Sequence, residues 1–344
     1  MRQILALAVA VLVAGCAGNT TVTATNARAV VLVSGLASAS PFTTPQNACA
    51  TGLAAGSADT AIRDHLLSKG QTVYTAPMMA GRGQVHDQTG FGAFGSCPAP
   101  LPDTMTVDTS GDIDLAGEHL ARFLEYLQTD KGVDEVDLVG HSMGGLYARS
   151  AIRSLLTTGS PVKVRSLVTV GTPWQGSYLA DYANGVVPLT DCASDQFCEN
   201  QMRGYVKDVA QVYPSGSAHE LGANYLTGPK GWNEFQAGVL NAIPVTLIGG
   251  DWFTRQGAAD PVVWPNDGIV ALRSALAADV DDSVLPHRRC YTFDATHSDY
   301  VSMIASLPND TALTWDPRVL DAVNTAIENA PKALDGPNRE GCPT

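Results

Sequence analysis

The sequence predicts an α/β fold, a mostly parallel sheet flanked by helices. Three observations carry this. Short β-branched apolar runs, such as residues 29–36, 162–170 and 245–248, alternate with stretches whose apolar residues recur at helical spacing, such as 58–69 and 113–127. Residues 133–150 read as a strand, a very tight turn and a helix. Finally, Leu36, Ser142, Gly171, Asp267 and His297 all follow candidate strands, Asp267 at the greatest remove. In a parallel sheet joined by right-handed crossovers such positions gather at the carboxyl edge, where ligands bind.

The elements follow in order. Residues 29–36 form a buried strand running into a turn. Residues 58–69 form a helix with Ile62, Leu66 and Leu67 as its apolar stripe, and residues 72–75 the next strand. Residues 77–110 are rich in Gly and Pro and lack periodicity; a run of that length is usually functional or tied down. An amphipathic helix over 113–127 precedes the strand–turn–helix unit. There Val136, Leu138 and Val139 form the strand body, and Leu146, Tyr147, Ile152, Leu155 and Leu156 the helix stripe. After the strand at 162–170, residues 178–236 break the alternation as an inserted cap. Residues 245–248 resume it, 289–293 are the last strand, and two helical stretches finish the chain.

The 344 residues are 45% hydrophobic and 16% charged, with a net charge of −13. Such a chain buries a large core. Its charge argues against nucleic acid and gives no attraction to anionic membrane surfaces. Met1-Arg-Gln followed by the apolar run 4–13 has the pattern of a secretory signal, too short to span a bilayer. Val13-Ala-Gly-Cys16 resembles the cleavage box of bacterial lipoproteins. The expected organisation is a signal over 1–15, a lipidated tether over 16–28 starting at Cys16, and one domain over 29–344 with the cap at about 178–236. Membrane association would then come from the anchor, and the location would be the bacterial cell envelope; cleavage after Ala17 would instead release a secreted protein. Six further cysteines remain, Cys49, Cys97, Cys192, Cys198, Cys290 and Cys342. An even count outside the cytosol reads as three disulfides, and no pair has Cys-x-x-Cys metal spacing. Pairing nearest partners along the chain gives Cys49–Cys97, Cys192–Cys198 and Cys290–Cys342, one of fifteen connectivities.

The turn itself is Gly140-His-Ser-Met-Gly144, a Gly-x-Ser-x-Gly pattern. Its glycines let strand and helix pack closely while Ser142 sits exposed at the strained apex. A serine hydroxyl needs a base. His297 suits that role, following the last strand and preceding a helix. His141 adjoins Ser142 too closely, His287 precedes its strand, and His119 lies within a helix; His65, His86 and His219 read as surface or packing residues. A base needs an acid to fix its tautomer; Asp267, Asp251 and Asp260 are the candidates. The backbone N–H of Met143, directly after the nucleophile, is one oxyanion donor, and that of Leu36 the expected second.

Taken together, residues 140–145 (Gly-His-Ser-Met-Gly-Gly), 171–177 (Gly-Thr-Pro-Trp-Gln-Gly-Ser), 266–270 (Asn-Asp-Gly-Ile-Val) and 296–299 (Thr-His-Ser-Asp) resemble the α/β-hydrolase family, and within it the secreted bacterial lipases. The resemblance covers roughly residues 29–306. One departure is Ser34-Gly35, where such lipases usually carry His-Gly. The resemblance implies the α/β-hydrolase fold and, in family order, Ser142 as nucleophile, Asp267 as acid and His297 as base. It also places Asp299 where some bacterial lipases bind calcium, although one carboxylate falls short of the six to eight oxygens needed; an acidic helix start is the plainer reading, and no other cofactor is expected. The expected activity is hydrolysis of carboxylic esters through an acyl-enzyme, a lipase on medium or long acyl chains. A small-ester esterase, an acyltransferase and a non-catalytic binding protein are the alternatives. The cap, with Val186, Val187, Leu189, Leu226, Trp232 and Phe235, would supply an acyl pocket, and Phe91 and Phe94 a second wall.

Overall fold

Alternation along the first strand divides the core in two. In β1 (Ala27–Val33), Ala29, Val31 and Val33 enter one apolar cluster while Val30 and Leu32 enter the other. Successive side chains of a strand point to opposite faces, so the unbroken apolar run from Ala29 to Val33 must be covered on both. In the computed structural model, which describes residues 27–47, 58–83, 85, 87–88, 92–93, 101–213, 217–257, 260–330 and 338–343, helices do the covering. Helices α1 (Thr60–Ser68) and α7 (Pro317–Asn329) lie on the Val30 face, with Ile62, Leu66, Val319, Val323 and Ile327 in its core. Helices α2 (Ile113–Lys131) and α3 (Gly144–Thr158) cover the Val31 face through Leu120, Leu124, Leu146 and Ile152.

The sheet adds β2 (Val73–Thr75), β3 (Val133–His141), β4 (Lys163–Val170), β5 (Val245–Gly250), β6 (His287–Phe293) and β7 (Asn338–Glu340). Its seven strands run in the order β7-β6-β5-β4-β3-β1-β2, and every pairing in it is parallel. The chain leaves β1 for β2 on one side and later returns to place β3 on the other. Between β1 and β3 the winding therefore reverses, and a crevice opens at the carboxyl ends. The edge strand β7 is absent from the sequence reading: Asn-Arg-Glu is polar and exposed, so no hydrophobic pattern marks it. A disulfide joins its neighbour Cys342 to Cys290 on β6. A second joins Cys192 to Cys198 at the start of α5 (Gln196–Tyr205) in the insertion, which opens with α4 (Tyr178–Ala183). Cys49 and Cys97, like Cys16, the expected signal over residues 1–15, Phe91 and Phe94, lie outside the described residues.

Local chemistry sets the ends of the helices packed on the sheet. Asp112 caps α2 by accepting from Leu115 N at 2.6 Å, and Gly132 ends it at φ 68°. The start of α3 has no side-chain cap; it is fixed by close backbone packing. A Cβ on Gly144 would lie 2.0 Å from Val33 O and 2.6 Å from Ser34 O, and one on Gly140 would lie 2.5 Å from Gly145 N. These neighbours are backbone and cannot swing aside. Gly144→Ala is therefore expected to cost about 3 kcal/mol or more, beyond ordinary overpacking. Urea unfolding followed by circular dichroism measures it; a loss below about 1 kcal/mol would show that α3 can retreat from β1.

Candidate active site

Ser142 lies between the end of β3 and the start of α3 with φ 55°, a left-handed conformation unusual for a residue with a side chain. Two hydrogen bonds hold it there: its N–H donates to Val170 O on β4 at 2.8 Å, and its carbonyl accepts from Gly145 N at 3.2 Å. The neighbouring helix N-terminus contributes free N–H groups and the positive dipole end. The first strand delivers its turn to the same place. A Cβ on Gly35 would lie 2.6 Å from Ser142 Cβ and 3.0 Å from both Ser142 Oγ and Met143 N. Glycine is required there by close approach. Leu36 follows directly and lines the same cavity as Ser142.

His297 and Asp267 come together across the ends of β5 and β6. His297 Nδ1 and Asp267 Oδ2 are 2.7 Å apart, and His297 N donates to Asp267 O at 2.8 Å. A carboxylate only accepts, so Nδ1 carries the proton and, in the neutral ring, Nε2 keeps its lone pair. Asp267 is fully buried, and its Oδ1 accepts from Ile269 N at 2.9 Å and Val270 N at 2.8 Å. Both oxygens are thus satisfied and the carboxylate cannot rotate away from the ring. Room for the pair comes from Gly171, φ 61°, where a Cβ would lie 3.0 Å from His297 Nδ1 and 3.3 Å from Asp267 Oδ2. Asp251 instead sits half-buried beyond β5, its carboxyl raised by burial and then by nearby Asp294. Asp260 accepts from Val262 N in its own loop.

His141 turns away from its neighbour Ser142. Its Nε2 lies 3.0 Å from the carbonyl oxygen of His297, the two rings being 4.9 Å apart. A carbonyl cannot donate, so Nε2–H does. Burial, then the proximity of His297, pushes the His141 imidazole down to about 3, and it stays neutral near pH 7. This brace on His297 escapes sequence reasoning, which considers His141 only as a base for its neighbour.

The cavity over Ser142 measures ≈640 Å³. Leu36, Val209, Leu221, Ile269, Val301 and Met303 give it apolar walls; Asp208 and Asp299 are its carboxylates. The insertion contributes Tyr205, Asp208, Val209 and Leu221. Leu226 and Trp232, expected at this wall, are buried in the core instead. Trp232 Nε1 donates to Asp114 Oδ1 at 2.9 Å, and its ring and that of Trp174 hold Arg149 of α3 between them. The apolar residues of the insertion therefore divide between fastening it to α3 and facing the cavity, a division hydropathy alone does not encode. Asp299 opens α6 (Asp299–Ile304), and burial raises its carboxyl. Among the described residues no group of three or more His, Cys, Asp or Glu side chains converges as a metal site.

Residues 103–190 match the family described as "Putative serine esterase (DUF676)". Over 71 residues the chain is 35% identical to a triacylglycerol lipase of Pseudarthrobacter phenanthrenivorans, covering 21% of each chain. A triacylglycerol lipase of Burkholderia plantarii is also 35% identical over 71 residues, 21% of this chain and 18% of that one. The matched region thus spans about a fifth of the length of these relatives. The crystal structure of Bacillus licheniformis lipase BlEst2 in propeptide form is similar at a TM-score of 0.50 and 15% identity, covering 91% of this chain and 52% of that chain. At that identity the likeness is one of fold. With the all-parallel sheet and its crevice, it gives the chain the α/β-hydrolase fold.

Proposed function

We propose that the protein is a serine carboxylester hydrolase, acting as a lipase on medium- or long-chain acyl esters. The observation that carries the reading is the His297–Asp267 pair beside a cavity lined by both His297 and the left-handed Ser142. In the proposed reaction His297 Nε2 takes the Ser142 proton as Oγ attacks the ester carbonyl, and Asp267 stabilises the imidazolium. The N–H groups of Met143 and Leu36 receive the oxyanion. Collapse expels the alcohol, which takes the proton from His297. Water, deprotonated by the same ring, then attacks the acyl-enzyme and releases the acid and Ser142. No step needs a metal.

The walls support a long acyl chain. Each buried methylene contributes about 0.8 kcal/mol, and it raises the specificity constant so far as the contact persists in the transition state. Tyr300 and Met303 line the cavity yet are 58% and 60% exposed, and Ile304 beside them is 38% exposed, so the rim is apolar toward solvent as well. Such a rim suits an insoluble ester. The two disulfides fit an extracytoplasmic location, and lipidation of Cys16 would hold the enzyme at the envelope.

Ser142→Ala is expected to abolish hydrolysis of p-nitrophenyl esters while leaving the circular dichroism spectrum and Tm intact; full activity in this variant would end the reading. Asp267→Asn is expected to lower kcat by about ten-thousand-fold, the size seen for the equivalent change in a serine protease. With Oδ1 held by two backbone amides, the new NH₂ faces Nδ1 and forces the proton onto Nε2. Asp251→Asn should leave kcat within about threefold; a larger loss there than at Asp267 would move the acid to Asp251. Specificity constants should rise from acetate to octanoate esters, and Leu221→Ala and Met303→Ala should flatten that rise. A profile that peaks at acetate and ignores both changes would favour a small-ester esterase.

A further inference from the structure

Two buried side chains lie behind the turn that follows β1. Ser34 and Asp59 are 2% and 1% exposed, and Ser34 Oγ donates to Asp59 Oδ2. Asp59 stands at the N-cap position of α1, where an aspartate ordinarily accepts from its own helix. Here it makes no side-chain cap bond; its carboxyl is turned to Ser34. A useful cap is forgone and a carboxyl is buried, with its pKa pushed up to about 7 by that burial. Burying a carboxyl is costly unless it is bonded, so this arrangement is a poor device for stability alone.

We infer that Asp59 is a positioning residue for the oxyanion loop, fixing Ser34 so that the Leu36 N–H stays aimed beside Ser142. The inference rests on the ester-hydrolase reading above. Ser34 is clamped from three directions. Its Oγ is held by Asp59, its N–H lies 3.0 Å from Met78 Sδ, and its carbonyl is 2.6 Å from where a Gly144 Cβ would sit. One residue on, Gly35 touches Ser142 and Met143 N; two residues on, Leu36 reaches the cavity. Gly35 has no side chain to hold the loop, and Leu36 is only partly buried. Ser34–Asp59, with the Met78 contact at Ser34 N and the 3.0 Å bond from Thr109 Oγ1 to Ser38 O, therefore fastens this turn to the body of the protein, and among these it is the one made by a side chain of the turn itself. A loop freed by even a fraction of an ångström would meet the oxyanion less well.

The test measures kcat and KM on p-nitrophenyl butyrate, and inhibition by an alkyl trifluoromethyl ketone, for wild type, Ser34→Ala, Asp59→Ala and Asp59→Asn. The ketone adds to Ser142 and its oxygen takes the oxyanion position. Ser34→Ala and Asp59→Ala are expected to lower kcat by about tenfold to a hundredfold, with KM within twofold and ketone affinity falling in step. Asp59→Asn keeps an acceptor for Ser34 and should stay within about threefold of wild type. Ser34→Ala removes one oxygen, so it reports even if Asp59→Ala fails to fold. Less than fivefold loss in Ser34→Ala, or equal loss in Asp59→Asn and Asp59→Ala, overturns the inference while the hydrolase reading stands. A wild type that neither hydrolyses the ester nor binds the ketone removes both.

Discussion

Everything at the candidate site depends on how closely the first turn of α3 approaches the end of β1. Gly144 allows that approach because a side chain there would overlap Val33 O. Once the backbones touch, Ser142 has to turn left-handed to connect β3 to α3, and its hydroxyl is presented to the crevice. The strain of that conformation, of order 1–2 kcal/mol, is borne by a fully parallel sheet with a helical core on each face. The same contact sets the turn after β1 against Met143 N, so the proposed nucleophile and the proposed oxyanion donors are positioned by one packing event rather than by separate ones.

Around that contact the other strand ends supply one group each, held by the backbone. Asp267 is locked by two amides and by the backbone bond between its own carbonyl and His297 N. His297 is braced again through its carbonyl by His141, a residue of β3. The candidate nucleophile is thus tied to β4, the candidate base to β3 and the candidate acid to its own loop by hydrogen bonds that use main-chain atoms, which leaves few soft degrees of freedom for their relative placement. Loss of water on substrate entry would strengthen these interactions further.

Much of this was legible in the sequence because the fold is written in short-range patterns. The continuous apolar run of β1, the helical stripe of α2 and the Gly-x-Ser-x-Gly turn each depend on residues adjacent in the chain. Asp267 could be favoured over Asp251 only through its resemblance to the lipase motif, since where a loop of sixteen further residues folds back is not a local pattern. The structure brings that loop round so that Asp267, not the strand-end Asp251, bonds His297. Three features had no pattern to betray them. His141 bonds a carbonyl 156 positions away, and Asp59 reaches Ser34 across 25. Trp232 looks like any cap aromatic until its ring is found against Arg149, a buried cation whose guanidinium nitrogens have no hydrogen-bond partner among the described residues. Contacts of that kind are set by tertiary packing, which local propensity does not contain.

At the proposed site one hydroxyl meets the reacting carbon while two backbone N–H groups meet its oxygen. A crystal structure of the protein inactivated with an alkyl phosphonate ester tests this geometry most directly. The account predicts phosphorus bonded to Ser142 Oγ, one phosphoryl oxygen about 2.7–3.1 Å from both Met143 N and Leu36 N, and the alkyl chain running between Leu221 and Met303. Phosphorus bonded elsewhere, or its oxygen turned to solvent away from both amides, would contradict it.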